Sequence, residues 1–246
     1  MARAGHFVFA GGVDTPVTGE YRAVVFDLFG TLVDDYAYDE YQRTLEQAAA
    51  LLHLPLADFR RVWFETTDDR NTGVIPTINA NMALICQRLG RTATDAEVAA
   101  AARVRHDFTH RAMAPRADAV STLAKLRARG LKIGLISNCS PDAPQVWPTS
   151  PLSPFFDTAV FSASCGVMKP NVRIYELALQ GFQLPAAECL YVGDGDSQEL
   201  TGAATAGMHP VMIRVAGQDR GQPPMANRQL WDGPVISSLA QVLALV

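Results

Sequence analysis

Val24-Val25-Phe26-Asp27-Leu28-Phe29-Gly30-Thr31-Leu32-Val33-Asp34 is the stretch on which the reading of this chain turns. Its opening run of β-branched and aromatic residues fits a buried parallel strand. The run stops at Asp27, and Gly30 then lets the chain turn, because glycine tolerates backbone angles that other residues avoid. A carboxylate at the C-terminal end of a buried strand stands where open α/β sheets place their chemistry. Taken alone, the same pattern also describes a strand followed by a turn, with Asp27 as an ordinary turn residue.

Outward from this stretch the chain changes character twice. Residues 34–114 carry helical spacing throughout and no strand pattern. One helix is expected over Tyr36–His53 and a second from about Ala57, with Phe59, Val62 and Trp63 inward. A third is expected over Thr77–Leu89, and a fourth is announced by the capping box Thr94-Asp95-Ala96-Glu97. After Pro115, helix and strand alternate, with strands expected over 131–137, 159–161, 189–193 and 210–215. Such alternation predicts a parallel sheet with helices on both faces. The fold class is therefore a doubly wound, Rossmann-like α/β core over 21–33 and 115–246. A small all-helical cap is inserted over 34–114, and residues 1–20 form a loosely ordered extension.

Composition bounds the function. Hydrophobic content of 48% and charged content of 19% describe an ordinary globular chain. A net charge of −4 without blocks of like charge speaks against a nucleic-acid surface or a polybasic membrane patch. The apolar patch Phe7–Ala10 is too short for a membrane span. Cys86, Cys139, Cys165 and Cys189 form no C-x-x-C pair, and reduced thiols fit a cytoplasmic protein. Only Lys125, Lys132 and Lys169 are lysines, so a lysine at a strand or helix end draws notice.

Polar residues stand at the end of each strand of interest: Asp27, then Ser137 and Asn138, then Gly193-Asp194-Gly195-Asp196, with Lys169 just before a helix. In a parallel sheet these ends share one edge. Carboxylates, a hydroxyl and a lysine on one rim suit a phosphate and a magnesium ion, which needs only one or two carboxylates. The motifs Asp27-Leu28-Phe29-Gly30-Thr31, Ile136-Ser137-Asn138, Lys169-Pro170 and Val192-Gly193-Asp194 together resemble the haloacid dehalogenase (HAD) superfamily of hydrolases over residues 22 to about 215. The resemblance implies that Asp27 is a nucleophile forming an aspartyl intermediate and that Lys169 neutralises charge. It also implies that Thr31 and Ser137 bind the transferring group with Asn138 in the same loop. Asp194 would bind Mg2+ together with Asp27 and the Phe29 carbonyl. Glu199 is either an outer member of that site or a solvated helix residue, and Asp196 is expected in solvent.

The chain departs from this pattern at one position. Phosphatases of the superfamily usually carry a second aspartate two residues after the nucleophile, as proton donor to the leaving group, and here that residue is Phe29. Two enzyme readings follow. The first is a Mg2+-dependent phosphohydrolase acting on a small phosphate ester. The second is a metal-independent 2-haloacid dehalogenase, which needs no acid and uses a cap arginine, with Arg60 best placed. Phosphonoacetaldehyde hydrolysis needs a cap lysine, and 34–114 has none. A catalytically weak binding or regulatory protein of the same fold is the non-enzyme alternative. A small-molecule substrate, no nucleic acid, no membrane and a monomer or homodimer complete the expectation. Gly193-Asp194-Gly195 is no dinucleotide fingerprint, because Gln198 replaces the third glycine.

Overall fold

The computed structural model describes residues 21–216 and 230–246. β1 (Ala23–Phe26) is followed by α1 (Tyr38–Leu51), α2 (Leu56–Glu65), α3 (Thr67–Asn71), α4 (Ile78–Arg88) and α5 (Asp95–Ala112). The chain then runs through α6 (Ala119–Ala128), β2 (Lys132–Ser137), α7 (Asp142–Val146), β3 (Thr158–Phe161), α8 (Ser162–Cys165) and α9 (Val172–Phe182). It ends with β4 (Cys189–Gly193), α10 (Glu199–Thr205), β5 (His209–Ile213) and β6 (Val235–Ile236). The six strands form one parallel sheet in the order β3-β2-β1-β4-β5-β6.

This order positions the site. From β1 the chain winds outward to β2 and β3, then returns to place β4 on the other side of β1. The gap between β1 and β4 is thus the switch point where open sheets bind ligands. Phe26 pairs with Leu135 on one side and Val192 on the other. That register brings Asp27, Ser137 and Asp194 to the same edge. Alternation along β1 sends Val24 and Phe26 into one apolar layer and Ala23 and Val25 into the other. Both faces are covered, which is why the strand reads as continuous hydrophobic sequence.

The five helices between β1 and α6 bury a third, separate core built on Leu45, Phe59, Val62, Trp63, Met82, Ile85 and Ala101. Helix starts follow the sequence: Thr77 accepts from the Ala80 amide, and Thr94 and Glu97 form the expected capping box. Differences lie in short elements. The Pro-rich stretch Asp142–Pro154, which carries no helical period, contains α7 and two 3-10 turns with proline in their first residues. α3, α8 and β6 are too brief for periodicity to announce. The extension expected over residues 1–20 lies outside the described residues.

Phe59 is fully buried in the helical core, so Phe59→Ala is expected to remove about 3–5 kcal/mol of stability. Urea denaturation measures the loss. Hydrogen exchange should rise in α1, α2, α4 and α5 and leave β1 and β4 protected, because the two cores are distinct clusters.

Candidate active site

Four buried ionisable groups converge where β1 and β4 end. The Lys169 ammonium donates to Asp27 Oδ1 at 2.5 Å and to Glu199 Oε2 at 2.6 Å. Its exposure is 6%, Asp27's is 5% and Glu199's is 0%. Glu199 is held on both oxygens: Tyr191 donates to Oε2 at 2.7 Å and the Gly195 amide to Oε1 at 2.9 Å. Asp194 is also buried, and its Oδ1 accepts the Asp196 amide at 3.0 Å. Carboxylate oxygens of Asp27, Asp194 and Glu199 lie within 4.8 Å of one another. Gly193 makes room for this, since a Cβ there would collide with the Glu199 carboxylate.

The electrostatics follow from burial. Loss of water pushes the Asp27 carboxyl up to about 7, with Lys169 pulling it down and Glu199 pushing it further up. Burial, then the charges of Glu199 and Asp27, raise Asp194 to about 8. For Lys169, burial alone would weaken the ammonium, but Asp27 and Glu199 more than offset it and hold the proton. Asp27 and Glu199 thus share one lysine, and Asp194 adds a third carboxyl beside them. The donor set fits a small hard cation: oxygen ligands only, with Asp27 Oδ2 buried and without a hydrogen-bond partner among the described residues. Glu199 is already engaged by Lys169, Tyr191 and Gly195, so Asp27 and Asp194 are the residues that could hold the ion directly.

Of the residues singled out from the sequence, the fold brings Asp27, Lys169 and Asp194 together and places Thr31 and Ser137 beside them in chain and burial. The hydroxyls of Thr31 and Ser137 are fully buried; that of Thr31 has no hydrogen-bond partner among the described residues, and that of Ser137 lies by the Cys139 thiol. Asn138 has another task. Its amide accepts from the Lys169 backbone N–H at 2.8 Å and donates to the Lys169 carbonyl at 3.1 Å, which fixes the lysine. Glu199 is no solvated helix residue; its position at the first turn of α10 turns it inward under Gly193. Asp196 is half-buried beside Asp194. Arg60 lies on α2 and makes no ion pair or hydrogen bond among the described residues. The Phe29 ring packs against Tyr36, with centroids 4.7 Å apart and the rings tilted by 52°.

Two buried arginines escaped the sequence reading. Arg105 on α5 pairs with Asp142 of α7 at 3.1 Å, and both side chains are nearly inaccessible. Arg70 on α3 lies 3.8 Å over the Trp63 ring and donates only to neutral oxygens, including the Trp63 carbonyl at 2.6 Å and Asn81 Oδ1 at 3.1 Å. Burial brings its guanidinium down to about 10. Both lie in helices whose arginines look like solvated faces by pattern alone.

A doubly wound sheet with an aspartate, a lysine and a second carboxylate gathered at its switch point places this chain among α/β proteins with an acidic centre at that point. The model of one family, the haloacid dehalogenase-like hydrolases, matches residues 21–207, and the chain belongs to that family. Among curated relatives, a glyceraldehyde 3-phosphate phosphatase of Methanopyrus kandleri is 34% identical over 134 residues, covering 53% of this chain and 57% of that protein. An (S)-2-haloacid dehalogenase of Pseudomonas sp. (strain YL) is 25% identical over 212 residues, 82% of this chain and 88% of its own. A solved 2-haloacid dehalogenase from Pseudomonas syringae pv. tomato DC3000 superposes with a TM-score of 0.66 at 21% identity, over 92% of this chain and 97% of that one.

The raised carboxyls make stability depend on pH. Asp27 and Asp194 rise from 3.8 to about 7 and about 8, so between pH ~4 and ~8 the folded state binds more protons than the unfolded chain. Their contribution is present at low pH and lost as pH rises through that window. Melting temperature of chelator-treated protein is therefore expected to fall from pH 5 to pH 8, and to fall less in Asp194→Asn. Equal declines in both proteins would refute this account.

Proposed function

We propose that this chain is a Mg2+-dependent phosphohydrolase acting on a small phosphate ester through an aspartyl intermediate. The observation that carries the reading is charge: Asp27, Asp194 and Glu199 are buried together with one ammonium among them. Buried like charges are costly unless paired, and a divalent cation on Asp27, Asp194 and the Phe29 carbonyl balances the excess. When bound, Mg2+ offsets the repulsion between a phosphate and the acidic centre.

The chain's own groups divide the remaining work. Lys169 fixes the rotation of the Asp27 carboxylate through Oδ1. Asp27 attacks phosphorus, the bond to the leaving oxygen breaks, and water then cleaves the aspartyl phosphate to inorganic phosphate and free Asp27. Thr31 and Ser137 direct their hydroxyls to the transferring group. The inserted helices act as a cap that excludes water during the reaction. Phe29 supplies no proton, so the leaving group depends on its own acidity or on a cap acid. Asp35 is the nearer acid of the hinge, since its charge acts on Asp194, whereas Asp34 is exposed and pairs with Arg116 at 3.3 Å. A small-molecule substrate and a cytoplasmic monomer or homodimer fit this role; no helix of the described residues is long and apolar enough to cross a membrane.

Phe29 also favours a second reading, 2-haloacid dehalogenation, in which halide leaves without a proton and Arg60 receives it. A panel of phosphate esters and haloacids, each assayed with Mg2+ and with chelator, separates the two. Phosphate turnover is expected only with Mg2+, and Asp27→Asn should reduce it to the level of buffer. Haloacid turnover undiminished by chelator, and damaged by Arg60→Ala, would replace the first reading with the second.

Leaving-group dependence gives the sharper test of Phe29. Aryl and acyl phosphates are expected to turn over well and alkyl phosphates slowly, giving a steep negative slope of log kcat/KM against leaving-group pKa. Phe29→Asp should raise alkyl phosphate turnover selectively, by less than the ~10²–10⁴-fold available to a tuned acid. A flat wild-type slope with chemistry limiting would show that another group donates the proton, and Asp35→Asn would then be the damaging variant.

A further inference from the structure

The polar seam between the inserted helices and the sheet is built on one ion pair. Arg105 of α5 is 2% exposed and Asp142, the first residue of α7, 1%. Arg105 Nη1 lies 3.1 Å from Asp142 Oδ2, and Nη2 donates to Ser140 Oγ at 3.3 Å. Thr109, one turn along α5, donates to the same Asp142 oxygen at 2.5 Å. The pair is electrically neutral, so it adds no charge with which to bind a substrate.

What it grips is the loop that leaves β2. Ser137 ends the strand, Asn138 clamps the Lys169 backbone by two hydrogen bonds, and Ser140 and Asp142 meet Arg105. Arg105 also reaches the site along a second route. Its guanidinium lies 5.6 Å over the Tyr36 ring, and Tyr36 packs 4.7 Å from Phe29, two residues after Asp27. We propose that Arg105 and Asp142 are positioning residues: the pair forms as the inserted helices seat on the sheet, and through the loop Ser137–Asp142 it sets Asn138, Lys169 and so the Asp27 carboxylate. Seating the helices and ordering the site are then one event. A pair serving stability alone has a simpler solution, because apolar residues of similar volume replace buried ion pairs at little cost. This pair is not saturated either, for Asp142 Oδ1 and Arg105 Nε have no hydrogen-bond partner among the described residues.

That contrast supplies the test. Arg105→Met, Asp142→Leu, the double variant and Arg105→Lys are compared by melting temperature, by hydrogen exchange at residues 138–140 and 169, and by kcat and KM on the best phosphate ester. The double variant is expected to melt within a few degrees of wild type while exchange in the loop stays about tenfold or more faster. Its kcat should stay depressed by up to about 10²-fold, with KM nearly unchanged, because the reacting groups are misplaced and the substrate contacts are not. Arg105→Lys, which keeps the charge, should recover part of both. A double variant that regains wild-type loop protection and kcat along with its stability would overturn the proposal, as would single variants that speed exchange evenly over the whole chain. Should the double variant not fold, Arg105→Lys decides: wild-type loop exchange and kcat in the single Arg105→Met would overturn it, and a graded Met–Lys–wild-type order supports it. Only the kinetic arm rests on the proposed phosphohydrolase activity. A wild type inert to phosphate esters and haloacids defeats that activity, and the exchange arm still decides the positioning role.

Discussion

The Lys169 ammonium, wedged between the buried Asp27 and Glu199 carboxylates, is the interaction around which the sheet's switch point is arranged. Two carboxylates buried side by side need a cation between them or a proton on one of them. Every neighbouring feature serves that arrangement. Tyr191 and the Gly195 amide share the charge on Glu199, Asn138 holds the lysine's backbone, and Gly193 withholds the Cβ that would push Glu199 aside. Removing the lysine would leave two uncompensated charges, so its role in folding is inseparable from any role in chemistry.

Asp194 brings the surplus of negative charge. The sheet order forces it next to Asp27, because β4 returns to pair with β1 across the switch point. A family that includes both phosphatases and haloacid dehalogenases by name offers two uses for this edge. The acidic surplus favours the use that involves a divalent cation, while Phe29 leaves the leaving-group proton without its usual donor. The aromatic at that position has a structural consequence of its own: its contact with Tyr36 joins the nucleophile loop to the inserted helices.

Apolar packing alone lets helices slide, whereas buried hydrogen-bonded charges fix one arrangement when all partners meet. Here the interior of the helical insertion is largely apolar around Phe59 and Met82, with Arg70 buried against Trp63 and hydrogen-bonded within the insertion, and the seam with the sheet carries Arg105, Thr109 and Asp142. The division matches the two demands on such an insertion, to hold together as a unit and to seat in one position.

The fold class was legible in the chain, and so was the set of strand-end residues, Asp27, Ser137 and Asp194, that meets at one edge of the sheet. The buried strand ending at Asp27, the capping box at Thr94, and the alternation after Pro115 are local signals, legible because backbone geometry and burial impose periods of 2 and 3.6 residues. Lys169 stood out by rarity and Asp194 by its place after a strand. Tertiary structure alone decided the partners. Glu199 reads equally as an outer member of the site or a solvated helix acid until β4 and Gly193 turn it onto Lys169, and Asn138 reads as a neighbour of Ser137 in the binding loop until residue 169 arrives beside it. Arg105 and Asp142 are 37 positions apart in sequence and carry no pattern that links them. Burial and pairing are properties of what lies opposite, and a one-dimensional pattern records only which side of its own helix or strand a residue occupies.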